Sequence, residues 1–190
     1  RRTEMAEKTV SPYGSWDSPI TTDLITRGAV SLGQMVIDSG GTYWAEMRPS
    51  EAGRSAICRL ADTGDSPIDT LTPPPYNVRS RAHEYGGGAF TVHDGTLYFV
   101  DAAKQLVYQQ APGGKPRALT QENKMAYADF LVDEARNRLI CVAEDSAPKG
   151  EAANSIIAID ILSGMITSLA SGADFYAAPK LSPERSSFSA

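Results

Sequence analysis

GGAFTVHDGTLYFVD, residues 87–101, is a pair of apolar strands joined by a tight turn. Asp94-Gly95 supplies the positive-φ positions that a two-residue hairpin requires. Two further strands follow, QLVYQQ (105–110) and the short RALT (117–120). The same layout stands upstream as LGQMVID (32–38), the turn SGG, TYWAEM (42–47), SAICRL (55–60) and DTLT (69–72). It returns downstream as YADFLVD (127–133), the turn EARN, RLICVAED (138–145), NSIIAID (154–160) and ITSLA (166–170). A fourth copy opens with APKLSP (178–183) and SSFSA (186–190).

Leu71, Leu119 and Leu169 mark this repeat at intervals of 48 and 50 residues. That is close to the period of one four-stranded propeller blade, roughly 40–50 residues. The runs FLV (130–132) and LICV (139–142) are apolar without alternation. A sheet with one wet face alternates, whereas a blade stacked between two neighbours is buried on both faces. A β-sandwich is the rival architecture, and the fixed period favours the propeller. The expected fold is therefore all-β, a partial β-propeller of about three and a half four-stranded blades. The expected blades are 29–76, 77–122, 123–172 and the start of another at 173–190, after an N-terminal leader, 1–28. In the leader, Ser18-Pro19 before ITTDLI predicts an N-cap and first-turn proline opening a short helix. Trp16 is expected to dock on another domain, and Trp44 to lie in an inter-blade core. TPPPYNVRSR (72–81) is expected as a rigid crossing between blades, because its prolines remove ladder donors. Asp133-Glu134 is expected as a solvated turn tip.

The bulk properties narrow the function. Over 190 residues, 42% are hydrophobic and 22% charged, as in a folded domain. A net charge of −5 with 18 scattered Lys and Arg offers no basic face for nucleic acid. No stretch approaches the ~20 apolar residues of a membrane span. The start RRTEMAEKTVSPYG lacks the apolar core of a secretory signal, so the expected location is cytoplasmic. Cys58 and Cys141 sit inside apolar runs and are expected as reduced, buried thiols. With His83 and His93 as the only histidines, no zinc-ligand spacing is present, and neither a metal nor a cofactor is expected.

No Gly-x-Ser-x-Gly elbow occurs, and nothing in the spacing gathers a Ser-His-Asp triad. Gly86-Gly87-Gly88 follows Tyr85 and leads into AFTV rather than a helix. It therefore predicts close backbone approach near a propeller axis, not a phosphate cradle.

Several runs together resemble one family. These are SPYGSWDSPIT (11–21), RPSEAGRSAI (48–57), TPPPYNVRSRAHEYGGGAF (72–90), LTQENKMAYADF (119–130), NRLICVAED (137–145) and DFYAAPKLSP (174–183). They are similar to the N-terminal propeller region of prolyl oligopeptidase family serine peptidases, of the acylaminoacyl-peptidase or dipeptidyl-aminopeptidase type. The most specific part is the arginine-rich lead into HEYGGG. The resemblance implies a non-catalytic segment that gates the access of short peptides to an α/β-hydrolase domain, the expected partner, which this chain lacks. Whether the chain is itself part of an enzyme stays open at this point. The ending SPERSSFSA departs from the family, which continues with an aspartate-glycine turn and a longer strand. A stand-alone binding or assembly module, self-associating through open blade faces, and an inactive truncated relic are the alternatives.

The resemblance also directs attention to Arg79, Arg81, His83, Glu84 and Tyr85 as candidate substrate contacts. In relatives, charged side chains on the propeller's inner face hold a peptide terminus. A carboxylate suits an amino group and a guanidinium grips a carboxylate. The structural alternative is an Arg79 or Arg81 ion pair with Glu84 that locks the crossing.

Overall fold

The computed structural model describes residues 10–15, 18–26, 28–38, 40–63, 66–147, 150–182 and 188–189. Three four-stranded antiparallel sheets follow one another, each with its strands side by side in chain order. The first holds β1 (Ser31–Asp38), β2 (Gly41–Arg48), β3 (Arg54–Ala61) and β4 (Asp69–Thr70). The second holds β5 (Phe90–His93), β6 (Thr96–Val100), β7 (Val107–Gln110) and β8 (Arg117–Ala118). The third holds β9 (Met125–Asp133), β10 (Arg138–Asp145), β11 (Ala153–Asp160) and β12 (Ile166–Ser171). A two-stranded sheet, β13 (Lys180–Leu181) with β14 (Phe188–Ser189), begins the next. This is the partial propeller that the repeat predicts. β5 contacts both β1 and β9, and the three are the inner strands of successive blades.

The Asp94-Gly95 turn forms as expected, with φ of 47° and 71° and His93 paired to Thr96. Strands apolar on both faces divide their side chains between two cores. From β6, Leu97 and Phe99 join Tyr43, Ile57 and Phe90 between the first two blades. Its Tyr98 and Val100 turn the other way, to Tyr127, Leu139 and Cys141 of the third blade. β10 divides likewise, with Ile140 and Val142 facing Ile156 in a third core. β6 and β10 are thus partitions between layers, so a polar residue at these core positions would be buried on either face.

In the first two blades the repeat landmark has a physical basis. After the two-residue fourth strand, Leu71 N donates to Ile57 O and Leu119 N to Val107 O, both at 2.8 Å. The next residue then turns its hydroxyl back on the third strand. Thr72 Oγ1 accepts from Ile57 N at 2.8 Å, and Thr120 Oγ1 from Val107 N at 3.0 Å. Leu-Thr is therefore a closing motif that extends a very short strand with a side-chain rung.

Three local expectations are corrected. The leader's helix, α1 (Thr22–Thr26), is capped by Thr21, whose Oγ1 accepts from Leu24 N at 3.1 Å. Ser18 Oγ accepts from Ile20 N, ahead of the helix, so the helix opens after the Ser-Pro pair. Trp44 is half-buried and donates to Glu46, because strand alternation gives the core position to its neighbour Tyr43. Asp133 is no solvated tip. It is 0% exposed and held by Arg136 and Arg138, while Glu134 beside it is exposed. Trp16 lies outside the described residues. Cys58 and Cys141 are free and buried, and burial pushes both thiols above their ordinary range.

Candidate functional site

The candidate residues lie on the crossing from β4 to β5, residues 71–89. Outside one bridge, Val78 to Asp101, it forms no strand. Its backbone is instead pinned by side chains. Arg54 Nη1 donates to Thr72 O at 2.8 Å and to Tyr76 O at 3.0 Å. Glu51 holds that guanidinium at 2.6 Å. Hydrogen bonds from Arg54 and Arg48 keep the Glu51 carboxyl below its ordinary 4.5. Asn77 then joins two blades, accepting from Ser55 N and donating its own N–H to Asp101, both at 2.9 Å. Arg79 N donates to Val100 O at 3.2 Å, and Arg81 N to Gln105 Oε1 at 2.8 Å.

Beyond Arg81 the segment leans over the third blade. His83 N donates to Glu144 Oε2 at 2.9 Å, and His83 Nε2 lies 2.8 Å from Asn154 Oδ1. The imidazole also meets the edge of Phe175, with centroids 5.4 Å apart. His83 and Glu84 are left-handed at φ of 55° and 59°, and Gly86 follows at 80°. Left-handed backbone at residues other than glycine costs of order 1 kcal/mol each and persists only where surroundings fix it. Here the His83 anchors do so, and the bent loop presents Tyr85 to solvent at 96% exposure.

The glycines complete the loop by threading between inner strands. A Cβ on Gly87 would stand 2.7 Å from Ala128 Cβ, and one on Gly88 would stand 2.9 Å from Asp129 Oδ1. Gly88 N donates to Asp129 Oδ1 at 2.6 Å, and Asp129 N returns a bond to Gly88 O at 2.8 Å. On the other side, Gln34 of β1 donates to Phe90 O at 2.7 Å. The triple glycine therefore permits close approach of three inner strands, as its sequence context predicts.

The five candidates separate by role. His83 is spent on anchoring. Arg79, Arg81, Glu84 and Tyr85 are exposed, and neither arginine forms an ion pair with Glu84, so the locking alternative is not built. Arg79 and Tyr85 share a cleft of about 360 Å³ with Gln34, Met47, Val78 and Ala89. Arg81 lines a different cleft of about 300 Å³ with Glu144 and Lys124. The supports Asn77, Gln105, Glu144 and Asn154 carried no local signal, since each acts on a residue at least 22 positions away. Elsewhere, His93 Nε2 stands 3.9 Å from Asp94 and 3.7 Å from Glu134, with both carboxylates exposed. No described helix is long and apolar enough to cross a membrane.

Comparison with solved structures gives three strong likenesses. The first is a puromycin-hydrolyzing peptidase of Mycobacterium tuberculosis, with TM-score 0.82 and 29% identity, covering 94% of this chain and 30% of that one. A puromycin hydrolase matches at TM-score 0.81 and 27% identity, covering 93% of this chain and 30% of its own. The S511A mutant of puromycin hydrolase, complexed with PGG, matches at 0.80 and 28%, covering 92% and 29%. The chain thus spans about a third of the length of the structures it matches. No family model and no curated protein matches it.

Proposed function

We propose that the chain is a propeller segment of a prolyl oligopeptidase family peptidase, as its likeness to puromycin-hydrolyzing peptidases supports, and that it serves as the non-catalytic gate of a serine peptidase acting on short peptides and aminoacyl amides. The crossing at 71–89 is its substrate-facing element. Glu84 receives the substrate's free α-ammonium group, Arg79 and Arg81 receive carboxylate or carbonyl oxygens, and Tyr85 packs on the substrate's side chain. His83 positions these groups and does not touch the substrate. The hydrolysis of puromycin by the matched peptidases supports this class, since puromycin is an amino acid amide with a free α-amino group. The observation that carries the reading is the loop itself. Its backbone is fixed to three blades while four chemically capable side chains are left exposed and unpaired with one another.

The test is labelling of source-cell extract with a fluorophosphonate serine probe, followed by capture with an antibody against residues 72–90. A labelled band far larger than 20.3 kDa supports the reading. An unlabelled band at that mass overturns it. A second reading, a self-associating module, is favoured by the exposed Leu32, Met35 and Ile37 along β1. A discrete closed oligomer by light scattering is the outcome that reading requires.

A further inference from the structure

We propose that His93, Asp94 and Glu134 together hold a divalent transition-metal ion of the zinc class. His93 ends β5 and Asp94 opens the turn after it, whereas Glu134 opens the turn between β9 and β10. The three ligands therefore come from two neighbouring blades, which is why no ligand spacing shows along the sequence. Because β5 starts at the crossing and ends at this turn, the site lies at the end of the blades opposite the crossing.

One ligand atom from each residue lies within 4.8 Å of the other two. His93 Nε2 stands 3.7 Å from Glu134 Oε2 and 3.9 Å from Asp94 Oδ2. Donors around one tetrahedral zinc, each at roughly 2.0–2.2 Å, stand about 3.4 Å apart. The two measured gaps exceed that spacing by only about 0.3–0.5 Å. A hydrogen bond would draw one oxygen to about 3 Å, yet the nitrogen stands nearly equidistant from both. It has no hydrogen-bond partner among the described residues. An unpaired sheltered nitrogen asks for an explanation, and a bridging cation supplies one. Both oxygens facing it belong to exposed side chains, 77% for Asp94 and 58% for Glu134. An ion arriving from solvent meets these oxygens first and the nitrogen behind them.

The backbone under the ligands is already fixed. Asp38 of β1 accepts from Asp94 N at 3.3 Å and from Gly95 N at 2.7 Å. Asp133, buried next to Glu134, is held by Arg136 and Arg138. Closing on the ion thus takes side-chain rotation alone. The donor set selects the metal, since one imidazole with two carboxylates suits zinc and its first-row neighbours, whereas magnesium prefers oxygen and keeps its water. Water completes the fourth position. Held this way, the ion ties the second blade to the third.

The experiment is calorimetric titration of the chelator-stripped protein with Zn²⁺ and, separately, with Mg²⁺. One zinc per chain is expected, with a Kd below about 50 µM and magnesium more than about tenfold weaker. His93→Asn, Asp94→Asn and Glu134→Gln should each weaken zinc by about tenfold or more. Zinc at a hundredfold excess over Kd should raise Tm by about 5–10 °C, and melting also checks that the variants fold. Asparagine suits the positive-φ turn position and Glu134 is exposed, so the last two variants decide the matter if His93→Asn does not fold. A weaker zinc Kd, a folded variant that keeps zinc to within tenfold, or magnesium bound to within tenfold of zinc overturns the proposal.

Discussion

Asp129 ties three blades together with one carboxylate, and its removal should be felt beyond its own strand. Oδ1 accepts from Gly88 N at 2.6 Å, at the lead into the second blade. Oδ2 accepts from Ala178 N at 2.9 Å, just before the fourth sheet. The residue itself sits in β9 at φ 57°, where the pairing with β10 shifts register. Asp129→Ala deletes both acceptors and leaves a side chain less suited to left-handed backbone. A hydrogen bond to a charged group contributes about 1.5–3 kcal/mol, and the solvent-facing Ala178 N–H recovers part of its share from water. The expected loss is about 2–4 kcal/mol, or roughly 5–15 °C in Tm for a chain of this size. Urea unfolding measures the first quantity, and amide exchange locates it. Exchange should accelerate at both Gly88 and Ala178, which lead into different sheets. Asp129→Gly relieves the backbone and should fall less far than Asp129→Ala. A loss below about 0.5 kcal/mol, or faster exchange confined to β9, would refute the stitching role.

Two further outcomes follow from local chemistry. Thr72→Val and Thr120→Val each orphan a third-strand N–H and should lose about 1–3 kcal/mol apiece by thermal or chemical melts, equal within error if the rungs are equivalent. Asp160 accepts from Leu162 N, Ser163 N and the Ser163 hydroxyl, and these bonds, led by Ser163 N, hold its carboxyl below the ordinary 3.8. A lowered folded value gives stability that is present above the unfolded value and lost as pH falls through the folded one. The gap in Tm between wild type and Asp160→Asn should therefore be level above 3.8 and close below it; a gap that widens in acid contradicts this.

Most strands were legible because each is bounded by a turn residue and opens an apolar run. The second blade shows it: Asp94-Gly95 fixes the hairpin and Leu119-Thr120 its close. The glycine triplet was legible for a related reason, since a run without side chains beside a β-like segment has one common use. What could not be read were partners across the blades. Asp129 looks like any strand aspartate, and its left-handed bulge exists because Gly88 and Ala178 arrive beside it from 41 and 49 positions away. Asp133 was misplaced because its burial depends on Arg136 and Arg138 folding back over it. In the candidate site the exposed side chains were nameable, but their separation into two clefts is set by the path of the crossing, which no local pattern records.

That path limits how the repeat can change. In an ordinary array each unit touches only its neighbours, so units can be lost or copied with a local adjustment. Here one connector is bonded to Ser55 in the first blade, Val100 in the second and Asn154 in the third, and it meets Phe175 ahead of the fourth. Excising or duplicating the second blade would therefore strip His83 of its anchors and spring the left-handed turn that displays Tyr85. The outer hairpin tips carry no such bonds from this connector, so they are where added or lost residues would disturb it least, and its blades work as a set rather than as interchangeable parts.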